Sequence, residues 1–187
     1  MSDSLSAANN KKCIILGITA GIAVYKAADL CSKLTQQGYE VLPVMTPNAC
    51  KLISPRIFFT LAKNSVLTDV FEDQEWKPKH VALSERADLL LVAPCTANFM
   101  GKFAHGIADD ALTTTALAHG SKPVLLAPAM NHWMWKHQAV QDNYRILQER
   151  GVHFVGPETG YLACGTEGDG RMSEVPKILE AVKKILN

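Results

Sequence analysis

Along the chain, short apolar runs alternate with stretches in which hydrophobic residues recur every three or four positions. Cys13–Ile18 is a continuous apolar run, residues from about Ile22 to Gln37 carry the helical period and stop at Gly38, and Val41–Met45 is apolar again. This order predicts a βαβ unit. Pro43 is an irregularity in it, because proline cannot donate to a central ladder. Ser54-Pro55 has the form of an N-cap followed by proline at the first helical position and predicts a helix to about Ala62. Residues Asp69 to Lys79 lack either period and are expected to be loop. Leu89–Ala93 and Val124–Ala127 are apolar runs of strand length, the kind expected of parallel strands covered on both faces. A helix from about Asp110 to His119 separates them. A further helix, about His137 to Arg150, stops at Gly151, and His153–Val155 follows as a strand. The last helix runs from near Ser173 to about Leu186, with Pro176 inside its permissive first turn. Strands alternating with helices predict a doubly wound α/β fold: one parallel sheet, Rossmann- or flavodoxin-like, with helices on both faces.

Composition narrows the class. The chain has 187 residues, 48% hydrophobic and 20% charged, which is enough for one sizeable core, so a single domain is expected over 12–187. Residues 1–11 (MSDSLSAANNK) carry no aromatic or β-branched side chain and are expected to form a disordered tail. The net charge is +1 with both signs interspersed, leaving no basic field for nucleic acid or anionic lipid. No apolar run approaches the roughly 18 residues of a membrane span, and the first eleven residues lack the hydrophobic stretch of a secretory signal. A soluble, cytoplasmic protein is expected. The five cysteines are odd in number and form no C-x-x-C pair, so neither a disulfide framework nor a metal site is expected. Four sit in apolar or helical contexts suited to buried thiols; Cys164 lies among glycines.

In doubly wound folds ligands sit beyond the carboxyl ends of the strands. Gly17-Ile18-Thr19-Ala20-Gly21 follows the first strand and opens the first helix, either as a phosphate cradle or as a tight βα turn. It is not G-x-G-x-x-G. The second strand ends in Thr46 and not in the acid that would hold a nicotinamide ribose, so a mononucleotide such as FMN suits the site better than NAD. Thr46 offers a hydroxyl to a phosphate or a cap to a helix. Pro94-Cys95-Thr96-Ala97-Asn98 supplies small residues and an amide after a buried strand, and Asp109-Asp110 has the form of an N-cap pair. Asn131, in Pro128–Trp135, can clamp a carboxylate or close an Asx turn. The stretch from Gly160 to Met172 holds four glycines around Cys164, a composition found in lids and in plain surface loops alike.

Taken together, these segments resemble the homo-oligomeric flavin-containing cysteine decarboxylase family. The resemblance rests on P-x-M-N-x-x-M-W at Pro128–Trp135 and on the glycine-rich A-C-G segment ending in G-R-M at Ala163–Met172. It also takes in ITAGIAVYK, KHVALSERAD and APCTANFMGKFAHGIADDALT. It implies FMN held by Ala20, Gly21, Ile22, Thr46, Thr96, Ala97, Asn98, Phe99 and Ala129. It makes His80 the active-site base, Asn131 the holder of the substrate carboxylate and Cys164 a late proton donor. Tyr161, Leu162 and Ala163 would line the substrate in a closed flap spanning about 158–172. Cys95 departs from the small alanine or serine usual in relatives.

The resemblance also implies a mechanism. A cysteine carboxylate has no electron sink beside its α-carbon, so the thiol carbon is first oxidised to a thioaldehyde at the flavin's expense, carbon dioxide leaves to give an enethiolate, and the electrons return. The extended A-C-G-T-E-G-D-G-R-M flap favours 4′-phosphopantothenoylcysteine, a precursor of coenzyme A, as substrate. The alternatives are decarboxylation of a C-terminal peptidyl cysteine and a non-catalytic regulatory flavoprotein of the same fold. A trimer or dodecamer with flavin sites at subunit contacts is expected. Many bacterial relatives continue into a ligase domain, whereas this chain stops at Asn187, as expected of a stand-alone decarboxylase or a shortened one.

Overall fold

The computed structural model describes residues 11–71 and 76–187, so residues 1–10 of the expected tail and the centre of the Asp69–Lys79 loop lie outside the described residues. Five parallel strands form the main sheet: β1 (Cys13–Ile18), β2 (Glu40–Met45), β3 (Leu89–Cys95), β4 (Val124–Pro128) and β5 (His153–Phe154), in the order β2-β1-β3-β4-β5. This is the flavodoxin-like doubly wound arrangement that the alternating pattern predicts. The helices are α1 (Val24–Gln36), α2 (Pro47–Leu52), α3 (Pro55–Ala62), α4 (Lys79–Arg86), α5 (Ala97–Ala104), α6 (Ala111–Ala118), α7 (His132–Lys136), α8 (Gln138–Glu149) and α9 (Val175–Leu186). A second, two-stranded antiparallel sheet pairs β6 (Glu158–Tyr161) with β7 (Glu167–Arg171). None of the described helices is long and apolar enough to cross a membrane.

The continuous apolar runs have a simple cause. Alternate side chains of each strand feed two separate cores. Ile14, Leu16 and Ile18 of β1 join Leu89 and Leu91 of β3 in a core closed by α1, α3 and α9. Cys13 and Ile15 join Leu90 and Val92 in a second core against α5, α6 and α8. Cys13, Cys31 and Cys95 are buried and Cys50 is half-buried, whereas Cys164 is exposed. Gly17 points at α6: a β-carbon there would stand 2.6 Å from Leu112 Cδ1, so its absence lets that helix approach the sheet.

Pro43 finds its explanation in the strand order, because β2 is an edge strand. The residues on either side of Pro43 in the outward-facing set bond away from the sheet: the Val41 carbonyl accepts from Asn64 Nδ2, and Met45 N–H donates to Leu67 O. The Pro43 carbonyl itself accepts from Leu67 N–H at 3.0 Å. The missing N–H would therefore have faced outward, and the pairing with β1 loses nothing.

Three helix starts follow the chemistry read from the chain. Thr46 Oγ1 accepts from Ala49 N–H, Ser54 Oγ accepts from Arg56 N–H, and Asp110 with Thr113 forms a capping box. The end of α4 is held differently. Lys122 Nζ, in the turn before β4, donates to the carbonyls of Ser84, Glu85 and Ala87 at 2.8, 2.6 and 2.9 Å. An ammonium on the last carbonyls of a helix satisfies acceptors that have no intrahelical partner. Lys122→Met keeps the apolar stem and removes all three bonds. It should lower unfolding stability by about 1–3 kcal/mol, read as a lower urea midpoint at unchanged slope; an unchanged midpoint would show that water replaces the ammonium at no cost.

Candidate active site

The β1–β3 ladder runs from Ile14↔Leu89 to Gly17↔Val92 and then ends. Beyond it the chain leaves β1 toward α1 on one face and leaves β3 toward α5 on the other, so a crevice opens between 20–22 and 94–98. Thr19, 1% exposed, lies at its base. Its hydroxyl donates to the Pro94 carbonyl at 2.7 Å and accepts from Thr96 N–H at 3.1 Å. Thr96 Oγ1 in turn accepts from Phe99 N–H at 3.4 Å and caps α5.

Two cavities open from this crevice, of about 480 and 440 Å³, and share Ala20, Thr96 and Met134. The first is largely apolar. Gly21, Ile22 and Ala129 line its floor and Tyr161, Leu162 and Ala163 its outer wall, while its charged lining residues are Lys26 and Arg171. Glu174 stands behind both cations: its Oε1 accepts from Lys26 Nζ at 2.9 Å and also pairs with Arg171, and these bonds hold its carboxyl below the usual carboxylate range. The second cavity is more polar than the first. Thr46, Asn98, Phe99 and Thr113 line it together with Lys102, whose ammonium bonds Asp109 at 2.8 Å.

The glycine-rich stretch expected as a loop or lid is a hairpin, and its glycines explain how it docks. Met130 N–H donates to Gly170 O at 2.9 Å. A β-carbon on Gly170 (φ +124°) would fall 2.3 Å from Met130 O, and one on Gly168 would fall 2.9 Å from His132 Cβ. Only glycine lets β7 lie against the turn that carries Asn131. That turn is the Asx type considered from the sequence: Asn131 Oδ1 accepts from Trp133 N–H at 2.8 Å and opens α7. With Oδ1 so used, Asn131 Nδ2 donates to Cys164 Sγ at 3.3 Å, and Thr166 Oγ1 lies 3.2 Å from the same sulfur. Residues 33 apart in sequence thus meet at the tip of the hairpin.

Of the residues singled out in the sequence, Ala20, Gly21, Ile22, Thr96, Ala129, Asn131, Tyr161, Leu162, Ala163 and Cys164 line the first cavity, and Thr46, Asn98 and Phe99 the second. Thr46 is a helix cap, one of the two readings its position allowed. Ala97 begins α5 but lines neither cavity. His80 lies apart as well. It sits in the first turn of α4, half-buried, and its Nδ1 is buried without a hydrogen-bond partner among the described residues. Sequence reasoning did not single out Thr19, Lys26, Lys102, Thr113 or Arg171. Thr19 carried a signal, since a hydroxyl immediately after an apolar strand is a polar group at the ligand end of the sheet; Thr113, inside α6, carried none of that kind.

The flavoprotein family model matches residues 2–187. The chain is 46% identical over 176 residues to the coenzyme A biosynthesis bifunctional protein CoaBC of Bacillus subtilis, covering 94% of this chain and 43% of that protein. It is 38% identical over 177 residues to a probable phosphopantothenoylcysteine decarboxylase of Streptococcus mutans, covering 94% of this chain and 99% of that protein. The chain thus spans less than half the length of the bifunctional relatives it matches. Among solved structures, a PPC decarboxylase variant complexed with pantothenoylaminoethenethiol aligns with a TM-score of 0.86 at 28% identity, over 94% of this chain and 98% of that one. The FMN-dependent cysteine decarboxylase SpaF aligns with a TM-score of 0.80 at 33% identity, over 96% and 97%.

The contacts at Cys164 predict its reactivity. Hydrogen bonds from the Thr166 hydroxyl first, and from Asn131, hold the thiol below its ordinary value, because they favour the thiolate. Burial instead pushes Cys13 and Cys31 up to about 12. Alkylation follows the thiolate, so iodoacetamide should label Cys164 first, with its rate rising at lower pH than for a free cysteine. Thr166→Val removes the leading bond and should move that rise to higher pH; the same pH dependence in both proteins would show that Thr166 does not act on the sulfur.

Proposed function

The chain belongs to the flavoprotein family, and on that premise we propose that it is an FMN-dependent decarboxylase converting 4′-phosphopantothenoylcysteine to 4′-phosphopantetheine in coenzyme A synthesis. The observation that supports the reading best is the Asn131–Cys164 contact: an amide able to bind a carboxylate and a thiol whose acidity is raised share one apolar cavity. A flavin fits the residues present: an apolar cavity for a flat ring joins one lined by four threonines, two asparagines and Lys102, groups able to hold a phosphorylated tail, while its two carboxylates are engaged, Asp109 with Lys102 and Asp110 in the cap of α6. The first-turn amides of Ala97 and Asn98 have no intrahelical acceptor, and Asn98 lines the second cavity. The proposal takes 12–187 as one flavoprotein domain with its flap at about 158–172, working in the cytoplasm.

When bound, the flavin supplies a two-electron oxidant whose electrons return to the substrate within one turnover. The side chains do the rest. Asn131 would hold and orient the carboxylate that leaves as carbon dioxide, and Tyr161, Leu162 and Ala163 would close the cavity against water. His80 takes the substrate thiol proton at the start, and Cys164 returns a proton to carbon at the end. His80 lines neither cavity of its own chain, so in this reading it comes from a second copy of the chain in a trimer or dodecamer. Exposed Ile22, Tyr25, Met134 and Tyr161 around the first cavity provide apolar surface for that contact.

Two variants and their mixture test this arrangement. Cys164→Ser should release carbon dioxide and accumulate a product two hydrogens lighter than the normal thiol, whereas His80→Asn should bind FMN and release none. Co-expressed in one assembly, the two should regain part of the complete reaction, because some sites then combine an intact His80 with an intact Cys164 from different copies. Mixed assemblies no more active than the separate variants would place both residues in one chain's site and overturn the shared one.

A further inference from the structure

The Thr19 hydroxyl belongs to no role assigned so far, yet it has two good hydrogen bonds in a place where the β1–β3 ladder has stopped providing any. The β1–β3 ladder ends at Gly17↔Val92. Two residues further on, at the point where the strands part, Thr19 Oγ1 reaches across to residues 75 and 77 positions away in sequence: it donates to Pro94 O at 2.7 Å and accepts from Thr96 N–H at 3.1 Å. A hydroxyl has one hydrogen and two lone pairs, so these two bonds use the hydrogen and one lone pair. They grip the peptide groups on either side of Cys95. They also lie directly beneath the junction of the two cavities, since Ala20, next to Thr19, and Thr96, whose N–H is held, line both. Across the crevice Gly21 approaches Pro94 closely enough that a β-carbon would stand 3.5 Å from its ring.

From this geometry we infer that Thr19 is a positioning residue for the flavin: its hydroxyl fixes the separation of the Ala20–Ile22 lip from the Thr96–Asn98 lip, and so the spacing of the ring cavity from the tail cavity. The inference rests on the proposed function in taking FMN as the ligand. Thr19 is 1% exposed; it borders the second cavity, and both hydrogen bonds of its hydroxyl go to the peptides it holds. A rigid ring joined to a charged tail must meet both cavities at once, and a site loosened by a fraction of an ångström loses that fit. Holding Thr96 N–H also withdraws it from the ligand. The first-turn amides of Ala97 and Asn98 are then the ones that α5 offers, and their direction depends on the same grip.

The test compares Thr19→Val, which keeps the shape and loses the hydroxyl, with Thr19→Ser, which keeps the hydroxyl and loses the methyl. FMN affinity is measured by diluting the purified holoprotein and following the fluorescence of released flavin; the melting temperature is measured alongside. Thr19→Val should weaken FMN binding by roughly tenfold to a hundredfold through the loss of two buried bonds, and Thr19→Ser should retain most of the wild-type affinity. If Thr19→Val does not fold, Thr19→Ala carries the same comparison. Thr19→Val that melts lower but binds FMN as tightly as wild type would overturn the inference and leave the proposed function standing. Thr19→Ser as weak as Thr19→Val would also overturn it, since the hydroxyl would not be the cause. A wild-type protein that binds no FMN would overturn both readings together.

Discussion

The site depends on one topological constraint, that β1 lies between β2 and β3 and the chain departs from β1 and β3 toward opposite faces of the sheet. Parallel strands need long crossovers, and where successive crossovers change face no backbone fills the space between the strand ends. That space is the crevice. Burial of both sheet faces keeps β1 rigid beneath it, with Ile14, Ile15, Leu16 and Ile18 all fully buried. Small residues at Ala20 and Gly21 then leave room for a ligand at the point where the two cavities join.

The second element of the site is built by close approach instead of by the sheet. Gly168 and Gly170 let β7 lie against the Asn131–His132 turn at distances that a side chain would forbid. The Gly170 carbonyl binds the amide just before Asn131, so the turn and the hairpin form one unit. At the other end of that hairpin the thiol of Cys164 receives hydrogen bonds from both parts: Asn131 from the turn and Thr166 from the hairpin itself. The docking that positions the outer wall of the cavity therefore also sets the acidity of the thiol.

The centre of the sheet was legible because β1, β3 and β4 are continuous runs buried along their whole length, and such runs have one economical explanation, burial on both faces. Even the anomalous Pro43 was a correct signal of an edge. Helix α4 escaped notice because KHVALSER is short and polar, and its start at Pro78 has no side-chain cap; it is held from outside by Lys122, which lies 35 to 38 positions away. The hairpin was invisible for a related reason. Glycines at 160, 168 and 170 argue against a strand by propensity; the cause at 168 and 170 is the neighbouring turn, and at 160 it is the Arg171 side chain across the hairpin. Asn131 and Cys164 could be found as chemistry from their contexts. Their contact could not, and the assignment of His80 came from family resemblance alone, because nothing local distinguishes it from a surface histidine.

The central claim is the reaction itself, and it is tested most directly by weighing the products after the purified protein is incubated with FMN and either 4′-phosphopantothenoylcysteine or a peptide ending in cysteine. The account predicts that the first is converted to 4′-phosphopantetheine, lighter by one carbon dioxide and otherwise unchanged in oxidation state, while the peptide is recovered intact. Conversion of the peptide alone, or of neither compound by a protein that has bound FMN, would contradict it.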